Sequence, residues 1–229
     1  MHTDSCHSEG DNVSKILERF QHIVVEGPIG VGKTSLAEKL ASVLGATLVL
    51  ENAAQNPFLG RFYETSGASH ALATQLYFMF QRLDQQRYEQ ARLAQGQRVV
   101  GDYLFEKNDV FAWLTLDKEE YALFQRIHHD VIPAEVAPPD LVIWLQAEPQ
   151  TLLARIRKRA TAMEKRIELP YLERLADGYA HLFQHYEKAP VFAVNTENFN
   201  PIDNEAHFHG LLQRLEGFRG TRGFFNPQL

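Results

Sequence analysis

Apolar residues along this chain follow two rhythms. Residues 22–26, 47–50, 98–101, 141–145 and 191–194 are short runs rich in valine, isoleucine and leucine. Runs of that length fit strands covered on both faces and are too short for helices. Between them, apolar positions recur every three to four residues: Leu36, Leu40 and Leu44, then Leu72, Leu76, Phe80 and Leu83 within residues 70–95. Helical spacing also marks residues 117–136, closed by Ala137, Pro138 and Pro139, then the basic stretch 151–159, residues 171–187 and residues 205–216. In 171–187 the expected buried stripe is Leu172, Leu175, Tyr179, Leu182 and Phe183. Strands alternating with helices predict an α/β fold: a five-stranded parallel sheet, helices on both faces and right-handed crossovers. No internal repeat or dividing linker is visible.

Composition narrows the class. A chain of 229 residues, 45% of them hydrophobic, supports one sizeable core, so one domain is expected over residues 21–216. Residues 1–20 are polar and read as disordered, and 217–229 read as a tail. His2, Cys6 and His7 have a spacing open to metal binding, but termini of this composition are more often unstructured. The net charge of −6 argues against a nucleic-acid polymer as partner. Cys6 is the single cysteine, with no intrachain disulfide available, which fits the cytoplasm. Nothing resembles a secretory signal or approaches the ~18 consecutive apolar residues of a membrane span.

Residues Gly27-Pro28-Ile29-Gly30-Val31-Gly32-Lys33-Thr34, followed by Ser35, fill every fixed position of G-x-x-x-x-G-K-[ST]. The motif follows an expected strand and opens an expected helix, the context it requires. The glycines let backbone N–H groups wrap phosphates, and the helix N-terminus adds its positive dipole end. Lys33 then neutralises charge between the outer phosphates of a nucleotide, and the Thr34 hydroxyl is placed for Mg²⁺. The guanine-reading Asn-Lys-x-Asp and the D-x-x-G switch of GTPases are absent from the sequence.

Glu51 lies just past the second strand, at the carboxyl end of the sheet, where open α/β folds bind ligands. A carboxylate there can accept the proton of an attacking hydroxyl. Gln75 and Arg82 are seven apart in one helix, about 20° from a common face, and offer it an amide and a guanidinium.

From about Gln21 to Leu215 the chain resembles the deoxyribonucleoside kinase family. The resemblance rests on the 27–35 loop, on Glu51 with Asn56-Pro57-Phe58-Leu59, and on Gln75 with Arg82. It continues through Asp102, residues 140–147, 155–164 with Pro170-Tyr171-Leu172, and 194–199. It implies the P-loop kinase fold with the cradle strand in mid-sheet and a small helical lid at about 160–168. It also implies transfer from ATP to the 5′-hydroxyl of a deoxynucleoside, with purines ahead of deoxycytidine.

Position by position, the resemblance makes Glu51 the base, with Lys33 and Arg155 as further catalytic groups. Tyr63 and Glu164 are expected to hold the sugar 3′-hydroxyl, and Gln75, Arg82 and Asn108 to face the base. Gly27, Gly30, Gly32, Lys33, Thr34 and Ser35 would hold the phosphates. Arg155 and Arg159 would close over the triphosphate, Glu197 and Phe199 would lie at the adenine, and Asp102 would join Thr34 at the metal. A homodimer is implied through residues 68–95, or 110 onward with 119–136.

Two positions depart from the family pattern. Asp102 is followed by Tyr103 rather than an arginine that orients the base, which leaves a bond from Tyr103 to Glu51, or Lys107 about one helical turn on, as substitutes. Asn108 stands where an acid commonly pairs with the base-side arginine. A thymidylate-type nucleotide kinase would share the cradle but is expected to carry an acceptor-phosphate arginine in place of Glu51. A non-catalytic subunit would be expected to have a degraded loop.

Overall fold

A computed structural model of the chain describes residues 19–65, 69–132, 137–161 and 164–227. The expectations for His2, Cys6 and His7 fall outside those residues, as do positions 162 and 163 of the expected lid. Arg19 and Phe20, assigned above to the disordered segment, are packed: Phe20 is buried and Arg19 donates to the Leu215 carbonyl at 3.0 Å.

The sheet has six strands rather than five. β1 (His22–Glu26), β2 (Thr47–Val49), β3 (Val99–Gly101), β4 (Leu141–Gln146), β5 (Val191–Asn195) and β6 (Arg222–Phe225) run in the order β2-β3-β1-β4-β5-β6, all pairs parallel. Register places Val24 against Gly101 on one side and Val142 on the other, so β1 is interior. The added strand lies in the stretch read as a tail. Its Arg-Gly-Phe-Phe sequence lacks an apolar run, and tertiary contacts make it an edge. Gly223 passes beneath Phe192, where a Cβ would meet the ring at 2.5 Å, and Arg222 donates to the Phe183 carbonyl at 2.6 Å and to that of Tyr186.

Helices cover both faces: α1 (Lys33–Leu44), α2 (Leu59–Glu64), α3 (Ala71–Ala94), α4 (Lys107–Thr115), α5 (Lys118–Val131), α6 (Pro149–Arg159), α7 (Leu169–His185) and α8 (Glu205–Gly217). α1 buries Leu36, Leu40 and Leu44 as its spacing requires, each burial stabilising the fold by roughly 1.5–3 kcal/mol. α7 buries Leu172, Leu175, Tyr179 and Phe183, with Leu182 half-buried. α5 is capped by Asp117, whose carboxylate accepts the Glu120 N–H at 2.8 Å.

α3 departs from its expected stripe. Phe80 is 44% exposed, while Thr74, Gln75, Arg82, Gln86 and Glu89 are buried beside Phe78, Met79 and Leu83. The inward face of α3 borders a cleft, so polar side chains occupy positions that a packing-only pattern assigns to apolar ones.

Candidate active site

The phosphate loop leaves β1 at Glu26 and enters α1 at Lys33. Gly27, at φ 150°, runs so close to β4 that a Cβ would sit 2.4 Å from the Leu145 carbonyl oxygen. Gly32, left-handed at φ 103°, turns the chain into α1. Lys33 Nζ curls over the loop, donating to the carbonyls of Gly27 at 2.8 Å and Pro28 at 3.1 Å. Burial and then the neighbouring ammonium of Lys107 lower its pKa to about 8, against the pull of Glu26, Glu51 and Asp102.

In front of the loop lies a cleft of about 300 Å³, to which Glu51, Tyr63, Gln75, Arg82, Arg159 and Glu164 all contribute. Glu51 sits at its base. Its Oε1 accepts from Arg82 Nε at 2.7 Å and lies 2.5 Å from the second guanidinium nitrogen, while Oε2 accepts from Lys107 Nζ at 3.2 Å. Burial pushes this carboxyl up, but Arg82 and Lys107 together overcome it and hold the pKa at about 2. The Glu51 N–H donates to Asp102 Oδ1 at 2.7 Å, and the Thr34 hydroxyl donates to Asp102 Oδ2 at 2.5 Å. The start of α1 and the chain just past β2 are thereby tied to one carboxylate at the end of β3.

Arg82 and Gln75 share the inner face of α3, as their spacing requires. Arg82 also bonds Asn108 Oδ1 and lies 5.1 Å from the Phe78 ring centre, so it spans Glu51 and Asn108. The Asn108 amide nitrogen donates to the Phe105 carbonyl at 2.8 Å. Gln75 Nε2 donates to Thr115 Oγ1 at 3.1 Å, which passes the bond to the Phe111 carbonyl at 2.6 Å. Tyr63 and Glu164 close the cleft from the α2 and lid sides, with Glu164 accepting from Arg159 at 2.5 and 3.2 Å. Burial, then the nearby Tyr171 and Glu164, push the Tyr63 phenol well above its ordinary range.

Three expected residues are placed elsewhere. Arg155 bonds the hydroxyl of Thr196 at 3.0 Å and its carbonyl at 2.6 Å. Glu197 accepts from the Glu148 N–H at 3.0 Å and from the Thr151 hydroxyl. Phe199 is a core residue, stacked on His207 at 4.8 Å and edge-on to Phe225 at 5.1 Å.

Tyr103 does not reach Glu51. Its hydroxyl donates to Glu89 at 3.0 Å instead, and Lys107 joins Arg82 in meeting Glu51. Glu26 was missed. Wholly buried, it accepts from the Gly27 N–H at 2.8 Å, the Leu104 N–H at 2.5 Å and the Tyr179 hydroxyl at 2.8 Å. An acid directly before the first loop glycine was its only sequence signal.

A glycine loop on a helix N-terminus, with a carboxylate held beside it at the carboxyl end of a parallel sheet, defines a P-loop kinase. The family model described as deoxynucleoside kinase matches residues 23–218, and the chain belongs to that family. It is an enzyme that phosphorylates a nucleoside to its monophosphate. It is 33% identical to deoxyguanosine kinase of Bacillus subtilis over 85% of this chain and 95% of that one. It is 29% identical to deoxyadenosine kinase of Dictyostelium discoideum over 91% of this chain and 84% of the relative. The fold matches deoxyadenosine kinase from M. mycoides, solved with bound dCTP, at a TM-score of 0.71 and 20% identity, covering 86% of this chain and 99% of that one.

Proposed function

We propose that the cleft transfers the γ-phosphoryl group of ATP to the 5′-hydroxyl of a purine deoxynucleoside, with Glu51 as the base. The observation that carries this reading is the position of Glu51. Its carboxylate lines one cleft with the phosphate loop and Gln75, and is kept ionised by Arg82 and Lys107. Phosphoryl transfer asks mainly for positioning and charge stabilisation, so an ionised acceptor aimed at the hydroxyl suffices even at low basicity.

Lys33, the loop amides of residues 27–35 and Arg159 hold phosphates in this reading, while Arg155 must leave Thr196 to reach them. Tyr63 with Glu164 holds the sugar, and Gln75, Arg82 and Asn108 shape the base end. Thr34 and Asp102 present two hard oxygens 2.5 Å apart beside the loop, which fits Mg²⁺. No cluster of three or more His, Cys, Asp or Glu suited to a metal occurs among the described residues, so substrate phosphates and water would have to complete the shell of a Mg²⁺ held at Thr34 and Asp102. When bound, Mg²⁺ would offset charge on the outer phosphates.

The purine preference rests on relatives described as deoxyguanosine and deoxyadenosine kinases. A homodimer is supported by exposed apolar residues on the two expected helices, Phe80 and Tyr88 on α3 and Leu123 and Val131 on α5. No described helix is long and apolar enough to cross a membrane.

A coupled assay with ATP and Mg²⁺ across the four deoxynucleosides and their monophosphates tests the proposal. Deoxyguanosine or deoxyadenosine should give the highest kcat/KM. Faster turnover of a monophosphate would overturn the acceptor assignment, and a pyrimidine at the top would overturn the base preference.

A further inference from the structure

At the back of the cleft a lysine is almost sealed from solvent. Lys107 opens α4, its side chain is 3% exposed, and its ammonium sits 3.2 Å from Glu51 Oε2 and 3.6 Å from Glu26 Oε1. The Phe111 ring, 5.5 Å from the nitrogen, flanks it. An ammonium desolvated this far persists only where carboxylates compensate it, and both of those present are used. Glu26 cannot swing to accommodate Lys107, because three donors from the loop, the chain before α4 and α7 already fix its oxygens. The flexible lysine is therefore placed by the rigid glutamate.

We infer that Glu26 and Lys107 form a positioning pair, in which the immobile Glu26 carboxylate holds the Lys107 ammonium so that it fixes the free edge of Glu51 toward the acceptor hydroxyl. This rests on the reading of Glu51 as the base. Arg82 grips Oε1 alone, so without Lys107 the carboxylate has one anchored oxygen and can rotate about it. The same Glu26 oxygen that faces Lys107 accepts the Gly27 N–H. The entry of the phosphate loop and the orientation of the base are thus set by one carboxylate, which aligns donor and acceptor relative to each other.

The test is a kinetic cycle with Lys107→Gln, Lys107→Arg, Glu26→Gln and Glu51→Gln. Lys107→Gln should lower kcat about ten- to a hundredfold, the scale of a misplaced reacting group, with KM for ATP and nucleoside nearly unchanged. Lys107→Arg, which keeps a cation against both carboxylates, should recover most of the loss. In a Glu51→Gln background, Lys107→Gln should cost little more, because the residue it positions is already disabled. Removing Lys107 alone strands Glu26, so the charge-balanced double variant Glu26→Gln/Lys107→Gln is measured beside it, with melting curves for each. That variant should fold and show the same kcat loss.

Unchanged kcat in either folded Lys107→Gln variant overturns the pair. So does an equal further loss in the Glu51→Gln background, or a loss expressed wholly as a higher KM. An active Glu51→Gln enzyme is a separate result, which removes the base assignment itself.

Discussion

Replacing Glu51 by Gln keeps the size of the side chain and its ability to accept hydrogen bonds while removing its charge. Two effects of different origin follow. The first is kinetic: loss of the basic oxygen should lower kcat by about 10²- to 10⁴-fold, the usual range for a general base. ATP affinity, set by Lys33 and the loop amides, should change little, so the defect belongs in kcat and not in the KM for ATP. The second is thermodynamic. In the folded chain Arg82 and Lys107 overcome the effect of burial and hold the Glu51 pKa at about 2, against 4.5 for the free side chain. A depressed carboxyl contributes stability that is complete above the unfolded pKa and lost as pH falls through the folded one. From a depression of that size, the contribution at pH 7 is about 3 kcal/mol. Glu51→Gln should therefore unfold in less urea at pH 7, with the gap to the parent narrowing as pH falls below about 4.5. A coupled assay and urea melts read the two effects on one sample. A folded Glu51→Gln enzyme with more than about a tenth of the parental kcat would refute the base assignment and turn attention to Asp102.

Gln75→Ala leaves a base edge unpaired and removes the bond that Thr115 Oγ1 accepts, at roughly 1–3 kcal/mol, so nucleoside KM should rise about five- to a hundredfold while KM for ATP stays put. Equal movement of both constants would misplace the acceptor site. Away from the cleft, Glu89 and His22 lie 3.8 Å apart with opposed titrations: burial raises Glu89 to about 7 and lowers His22 to about 4. Stability from Glu89 is complete below about 4.5 and lost as pH rises through about 7, whereas that from His22 is complete above about 6.5 and lost as pH falls through about 4. Glu89→Gln should thus leave a protein whose stability falls on acidification between pH 6.5 and 4, and His22→Gln one whose stability falls as pH rises toward 7, both read from urea melts. Slopes of the same sign in the two variants would refute the opposition. Light scattering at micromolar concentration should return twice the chain mass of 26.2 kDa, and a single-chain mass would rule out the dimer.

What the sequence determined by itself is local or periodic. The five runs of apolar residues became β1 to β5, because a strand buried on both faces needs little beyond a short apolar segment. The phosphate loop was legible because its glycines answer to backbone geometry at their own positions. Gln75 and Arg82 reached one face because helical spacing alone puts them there.

Tertiary structure decided what depends on contacts distant in sequence. β6 forms only because Phe192 and the α7 carbonyls await Gly223 and Arg222. Phe199 became core through Phe225 on that same strand. The inner face of α3 carries Arg82 and Glu89 rather than Phe80 because a cleft and buried polar partners lie opposite it. Lys107 rather than Tyr103 meets Glu51 because Tyr103 packs with Val49 and Val99 and gives its hydroxyl to Glu89. Glu26, 25 residues before Glu51 in the chain, reaches it only through Lys107, a link no local pattern encodes. Burial makes such charges interdependent: a carboxylate that water would screen at the surface must find its partners inside the fold, and the fold alone determines which they are.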